Sequence, residues 1–355
     1  MTVFSLSADS SLECGDYTMQ CYTVDGSGPE SLKLVERPAP GEPGPEEVLV
    51  NVHAVSLNYR DLMVADGRYG GRQDPAIVAA SDMSGMVVSV GANVHGLKTG
   101  DRVLNAPFRH WPTGKLRSDW ARTFVGGGGL DGVLAEQILY PAESLVKIPE
   151  IFSFAEGSTL TVAGLTAWAA VVTHGRVQTG EWVVLHGTGG VSLFGAQIAK
   201  MCGARTILTT SSQAKVEAVR RRVEIDATVD YRDESWPEKV REITGGGADL
   251  VVEVAGGTTL ARSIQCCTYG GRVGVIGVLD GAKSPINVVD LLLHQVTVHG
   301  IFMESTAELR KLAAALAVAD LHPIVERTFA FEDAADAYTY LREQKHFGKV
   351  CIDVR

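Results

Sequence analysis

A chain of 355 residues, 45% hydrophobic, is too long for one ordinary core and predicts two domains, with enough apolar content to bury both. A net charge of −10 at pH 7 and a pI near 5.4 argue against nucleic acid or an anionic membrane as the main partner. No uninterrupted apolar run reaches the roughly 18 residues of a membrane span, and the opening MTVFSLSADS lacks a basic segment followed by an apolar one, so a soluble, cytoplasmic protein acting on a small molecule is expected.

Residues 1 to 150 hold short β-type runs, such as Glu47 to Val52 and Met86 to Val90, punctuated by PAPGEPGPEE before the first and GANVHGLKTGDRV after the second. Runs broken this way predict an irregular, mostly antiparallel β-domain. Cysteines are scattered at Cys14, Cys21, Cys202, Cys266, Cys267 and Cys351, without the density of a secreted disulfide scaffold, and are expected to be reduced and mostly buried. The segment FRHWPTGKLRSDWARTFVGGGG is long, aromatic and closed by glycines 126 to 129, as a flexible loop over a cleft would be. Its Phe108, Trp111 and Trp120 either line an apolar substrate pocket or pin the loop to the domain beneath.

Near Ser153 the texture changes to helix formers, SFAEGSTLTVAGLTAWAAVV, leading into Trp182 to Gln197, WVVLHGTGGVSLFGAQ. There an apolar β-type run breaks at Gly187, Gly189 and Gly190 and resumes with helical spacing. The glycines allow positive φ and close backbone approach to a pyrophosphate, while the helix N-terminus offers unpaired N–H donors and a positive dipole end. A bound dinucleotide is expected, cradled by Gly187, Thr188, Gly189, Gly190 and Val191. The sixth position of the G-x-G-x-x-G pattern is Ser192; its hydroxymethyl is expected to push the helix away or to bond backward to a carbonyl, with Gly195 one turn later restoring close packing. Further β-type runs at Ala204 to Thr209, Ala227 to Asp230, Asp249 to Val254 and Gly271 to Ile276 alternate with helix-length amphipathic segments, which specifies a parallel, doubly wound sheet with helices on both faces. Beyond it, a helix from Glu304 to Asp320 and the closing ERTFAFEDAADAYTYLREQKHFGKVCIDV return to mixed structure that can complete the first domain.

Asn58-Tyr59-Arg60-Asp61, the run IVAASDMSGMVVSVG, GDRV, DGVLAEQ, LTAW, the glycine turn, Val229-Asp230-Tyr231, DLVVEVAGG, GGRVGVIG and the final FGKVCIDV together resemble the medium-chain dehydrogenase/reductase superfamily, over nearly the whole chain. The resemblance is closest to its zinc-independent quinone oxidoreductase and alcohol-dehydrogenase-like branches. It implies an α/β architecture with a GroES-like β-barrel substrate domain, residues 1–152 and 302–355, and a doubly wound Rossmann cofactor domain, residues 153–301, with the active site between them. It also implies a homodimer formed through an edge strand at Thr297 to Met303, a cofactor contact at Thr166, and approach of the Gly277 and Phe302 backbone to the carboxamide. For Thr166, a hydroxyl bonded to its own helix is the alternative.

Zinc alcohol dehydrogenases of this superfamily carry a cysteine where this chain has Asn58, a hydroxyl relay where it has Arg60, and a histidine-glutamate pair where it has Ser81-Asp82. Asp82 with Asp61 is a poor ligand set for a metal that takes about three Cys, His or carboxylate ligands, and Asn105 to Leu130 lacks the four cysteines of a structural zinc lobe, so no metal is expected. At the end of the second strand of the parallel sheet, about 20 residues past the glycine turn, an NAD enzyme places a carboxylate. Here stand Thr209-Thr210-Ser211-Ser212 and Lys215, hydroxyls and a cation that suit a 2′-phosphate, with Tyr231 a further candidate at the adenosine end. NADPH is expected over NADH; the alternative reading makes Ser212 a helix cap and Lys215 a surface charge.

Chemistry is expected in the Asn58 to Asp61 run. Asn58 can bind the substrate oxygen or the nicotinamide ribose, Tyr59 can act as donor or acid, and Arg60 either stabilises an oxyanion or forms a structural bridge to Asp61 or Asp82. Tyr69 is a lesser candidate, and His186, at the end of the first strand of the parallel sheet, reads as a buried, hydrogen-bonded ring. Reduction of an enone or a quinone leads; a zinc-free alcohol dehydrogenase or carbonyl reductase, and a nucleotide-binding relative with little turnover, remain as alternatives.

Overall fold

The computed structural model describes residues 17–355; Cys14 lies outside them. Strands β1 (Thr18–Val24) and β2 (Lys33–Pro38) pair with each other, and β1 with β4 (Ile77–Val78), in a small sheet against the barrel. The barrel sheet is built from β3 (Glu47–Leu57), β5 (Asp82–Val90), β6 (Arg102–Asn105), β7 (Gln137–Pro141), β8 (Leu145–Lys147) and two strands from the end of the chain, β15 (Val325–Ala330) and β16 (Lys349–Asp353), in the order β15-β16-β3-β5-β6-β8, with β7 also on β3. The second sheet holds β9 (Trp182–His186), β10 (Arg205–Thr209), β11 (Ala227–Val229), β12 (Ala248–Glu253), β13 (Cys267–Val275) and β14 (Thr297–Gly300), every pair parallel, in the order β11-β10-β9-β12-β13-β14.

Helices α1 (Tyr59–Ala65), α2 (Ser118–Ala121) and α3 (Phe154–Ser158) belong to the barrel side, and α5 (Gly190–Met201), α6 (Gln213–Arg220), α7 (Trp236–Thr244), α8 (Gly257–Gln265) and α9 (Val288–His294) follow successive strands of the parallel sheet. Between these groups the helix-forming segment runs as α4 (Leu165–Trp168) flanked by π-helical turns at Leu160–Gly164 and Ala169–Thr173. Its side chains from Leu160 to Val171 are all buried, so no polar face fixes a regular period, and π turns of this kind recur at functional sites. Helix α10 (Thr306–Val318) packs Leu309, Leu312 and Leu316 into one cluster with Leu104 and Ile148 of the barrel side and Leu185 and Phe194 of the parallel side; α11 (Ala334–Arg342) covers β15 and β16. No helix among the described residues is long and apolar enough to cross a membrane.

Two differences from the sequence reading bear on the site. Strand β3 does not stop at Val52 but continues to Leu57, because β16 pairs with Ala54 to Leu57 on one side and β5 with Ala54 to Ser56 on the other. With both edges paired, the barrel core on one face and α3 on the other, Val55, Ser56 and Leu57 are buried in succession and the alternation that marked the first half of the strand disappears. Strand β14 ends at Gly300 rather than Met303: Met303 holds a positive φ of 59° and turns the chain toward the barrel.

Strand β9 and helix α5 are drawn close by one side chain and by the absence of another. Ser192 donates to the carbonyl of His186 at 2.6 Å, bonding backward as one of the two expected outcomes, and a Cβ on Gly195 would lie 2.5 Å from Leu185 Cδ2. Gly195→Ala should therefore overpack a full core position and destabilise the fold by about 1–3 kcal/mol. Urea unfolding that matches wild type would contradict the close helix–strand approach.

Candidate active site

Strand β3 delivers Asn58 to the N-terminus of α1, where the Asp61 carboxylate accepts the Asn58 N–H at 2.7 Å and pairs with Arg60 at 3.2 Å. Arg60 also donates to the carbonyl of Gly126 at 2.9 Å, and its guanidinium lies 4.3 Å from the Phe124 ring centre and 5.0 Å from that of Tyr69. Of the two roles expected for Arg60, the geometry shows the structural bridge, to Asp61, tying the glycine loop to α1. Tyr59 is half-buried against the barrel core, with the Arg68 guanidinium 5.9 Å from its ring.

The residue that sequence reasoning missed is Lys349. It opens β16 directly beside Leu57, is 3% exposed, and donates to the Leu57 carbonyl at 2.6 Å and to Asn58 Oδ1 at 2.6 Å. Its signal was present as a lone cation at the start of the apolar run VCIDV. The Asn58 amide nitrogen is buried on the side of the Asp82 carboxylate, whose charged form its N–H groups favour. Behind it, Asp82 accepts from the Ser81 hydroxyl at 2.7 Å and the Val162 N–H at 3.1 Å. Burial pushes the Asp82 carboxyl above its ordinary value against the pull of the Lys349 charge, and burial pushes the Lys349 amine below its own. Asp61 is pushed up to about 6 by burial, with Arg60 opposing.

The lysine stem reaches the other sheet as well. A Cβ on Gly190 would lie 2.5 Å from Lys349 Cδ, and the Gly348 N–H donates to the Thr188 carbonyl at 2.8 Å, so the glycine turn packs directly on the start of β16. The turn also fits a pyrophosphate: Gly187 has φ of 73°, a Cβ on Gly189 would meet nothing within 4 Å, and Gly189 caps α5 without a side chain that could take its first N–H groups. Val191 is half-buried against the core at the same helix end.

Just past the C-terminal ends of β10 and β11, Ser211 and Tyr231 share a hydrogen bond of 2.9 Å. Ser212 caps α6 by accepting the Lys215 N–H at 3.3 Å, and the Lys215 ammonium donates to the carbonyls of Gln344 at 2.6 Å and His346 at 2.9 Å. Thus Lys215 is not a free surface charge; it holds the loop before β16. His186 bonds Thr209 and Ser263, each at 2.8 Å, beside Glu253, a buried ring.

On the substrate side, Thr166 donates to Met303 Sδ at 3.1 Å rather than to its own helix. Gly277 lies against the backbone of Val254, too close for any side chain, and Phe302, 45% exposed, packs its ring 5.6 Å from both Phe108 and Phe124. Phe108, Trp111 and Phe124 are buried, so they pin the aromatic loop, while Trp120 and Tyr69 are only partly covered. A cavity of about 540 Å³ opens between Arg37, Asp74, Arg109 and Asp131, with none of the expected site residues in its wall. Among the described residues no group of three or more His, Cys, Asp or Glu side chains could hold a metal ion.

Removing the ammonium should leave the buried carboxylates uncompensated: Lys349→Met is expected to cost about 3–5 kcal/mol in thermal or urea unfolding. A separate signature concerns Asp61. Because its folded value of about 6 lies above its ordinary 3.8, the native state holds a proton that the unfolded chain has lost, and this contribution to stability falls as pH rises between those values. Asp61→Asn should flatten that slope in melting curves; an unchanged slope would place the titration elsewhere.

The alcohol dehydrogenase GroES-like domain model matches residues 44–150, and the zinc-binding dehydrogenase model residues 190–318. A zinc-type alcohol dehydrogenase-like protein of Schizosaccharomyces pombe is 34% identical over 336 residues, 92% of this chain and 96% of that protein. Human quinone oxidoreductase is 27% identical, over 88% of this chain and 90% of its own. A solved NAD-dependent alcohol dehydrogenase superposes with a TM-score of 0.86 at 31% identity, covering 95% of this chain and 100% of that one. With a barrel and a doubly wound parallel sheet meeting at the glycine turn, the chain belongs to the medium-chain dehydrogenase/reductase superfamily of oxidoreductases.

Proposed function

We propose that this protein is a zinc-independent, NADPH-dependent reductase of activated C=C bonds or quinones. The observation that carries the reading is the buried Lys349 ammonium, bonded to Asn58, where zinc-dependent relatives carry a cysteine, and facing Asp82 of the Ser81-Asp82 pair, where they carry histidine and glutamate. A lysine there supplies positive charge without an open coordination position. When bound, the nicotinamide supplies the hydride. Reduction of an enone or quinone then leaves charge on an oxygen that one or two hydrogen-bond donors can stabilise. The chain offers the Asn58 side chain, oriented by Lys349 and Asp82, and the neighbouring Tyr59 hydroxyl as such donors, with Thr166 and Phe302 framing the nicotinamide side. At the adenosine end, Ser211, Ser212, Tyr231 and Lys215 gather hydroxyls and a cation, and the end of the second strand of the parallel sheet, Thr209 to Ser212, carries no carboxylate, which favours a 2′-phosphate.

Purified, chelator-treated protein should oxidise NADPH in the presence of enones or quinones, and Ser211→Asp should weaken NADPH far more than NADH. Turnover restricted to aldehydes or ketones would favour the zinc-free alcohol dehydrogenase reading, which the similarity to proteins named alcohol dehydrogenases supports. Activity lost on chelation and restored by zinc would overturn the metal-free reading. NADPH binding without turnover on any acceptor would point to a nucleotide-binding relative.

The assembly proposed is a homodimer through β14. That strand is an exposed edge, and Val298 on it and Val288, Leu292 and Leu293 on α9 present apolar side chains to solvent, Leu292 at 72% exposure. Light scattering should report a dimer, and Leu292→Asp with Val298→Asp a monomer; a wild-type monomer would remove the proposal.

A further inference from the structure

The loop between α11 and β16 carries a side chain that the proposed reaction does not use. His346 has its Nδ1 buried and without a hydrogen-bond partner. The loop is fixed at the adenosine end of the crevice, because Lys215, in the first turn of α6, donates to the carbonyls of Gln344 and of His346 itself. The groups facing the ring are Lys215 from α6, Lys349 from β16, and Tyr340 from α11, whose ring centre lies 6.4 Å away and whose hydroxyl bonds Glu326 of β15 at 3.0 Å. Among the described residues no carboxylate pairs with the imidazole, so an unsatisfied ring nitrogen lies beside two ammonium groups whose own facing carboxylates, Glu326 for Lys215 and Asp82 for Lys349, leave the ring without an anion. A primary ammonium has three N–H donors, and two of those on Lys215 are engaged, which leaves one.

We propose that His346 is a proton-linked donor to the 2′-phosphate of the dinucleotide: the phosphomonoester dianion binds between the remaining Lys215 N–H and the imidazole, and the ring takes up a proton from solvent as it binds. The inference rests on the NADPH reading and adds to it a residue and a pH dependence. In the free protein, burial and the two lysines push the His346 value down to about 4, so the ring is neutral at ordinary pH. A dianion at contact distance reverses that balance by favouring the charged ring. The sign separates this from the phosphate's own titration: a phosphomonoester with a second pKa of about 6 loses protons when it docks on a cation, whereas His346 gains one.

The test is calorimetric titration of the full-length protein with 2′,5′-ADP and with 5′-AMP, at about pH 6, where the phosphate is half-ionised, in two buffers of different ionisation enthalpy. Expected are preferential binding of 2′,5′-ADP with net proton uptake in wild type, loss of that uptake and an about tenfold loss of preference in His346→Gln, and retained preference without uptake in His346→Arg. Preferential binding of 2′,5′-ADP without proton uptake, or uptake that persists in His346→Gln, overturns the role of His346 while leaving the NADPH reading intact. Equal binding of the two nucleotides by wild type overturns both.

Discussion

The arrangement of this molecule turns on one buried ammonium. Taking such a group out of water costs several kcal/mol even after relaxation, so it persists only where its donors are met. Lys349 meets them with the last carbonyl of β3 and the side chain of the first site residue, while Asp82 balances its charge. The same side chain lies along Gly190, so the barrel and the dinucleotide turn are held in register by a single stem and head. That contact explains why position 190 has to be glycine for a reason unconnected with backbone freedom: the space its side chain would fill is already taken.

Around this ion, charge alternates. Asp82 and Asp61 are both buried, Lys349 offsets the first and Arg60 the second. Arg60 then extends the network outward, stacking on Phe124 and Tyr69 and holding Gly126. A loop that ends in four glycines is thereby anchored at its hinge, and the aromatic cluster of Phe108, Trp111 and Phe124 anchors its body. Phe302, arriving from the parallel sheet, packs on this cluster from the other side and joins the substrate walls of the two halves.

Much of this was legible in the sequence, and what was not has physical causes. The parallel sheet was readable because each strand is a continuous apolar run bounded by an amphipathic helix, and the glycine turn because positive φ at Gly187 and open space at Gly189 restrict the residue type. The backward bond of Ser192 and the compensating closeness of Gly195 follow from helix–strand packing alone. The second half of β3 was hidden, since a strand covered on both faces loses its period; the segment before β9 was legible as helix, but its π-helical turns were not, because burial all round leaves no polar face to mark the period. Lys349 was visible only as a lone cation before an apolar run, and its role was out of reach because its partner Leu57 lies 292 positions away and only strand pairing brings them together. The binding of Lys215 to the loop before β16 is likewise a long-range contact that local composition cannot reveal.

The contrast between an ammonium and a metal ion also constrains the chemistry proposed for the cleft. A catalytic zinc keeps a coordination position open and acts on a substrate oxygen directly. Lys349 has two of its three donors committed and is almost fully enclosed, so its charge can orient Asn58 and set the potential of the site but cannot itself ligate substrate. Polarisation then falls to neutral N–H and O–H donors, which act more weakly on a simple carbonyl than a Lewis acid does. A substrate whose accepted charge spreads over a conjugated system asks least of such donors. On the proposed reading, a buried lysine in place of a ligand set, rather than any single group in the cleft, is what would favour conjugated acceptors over isolated carbonyls.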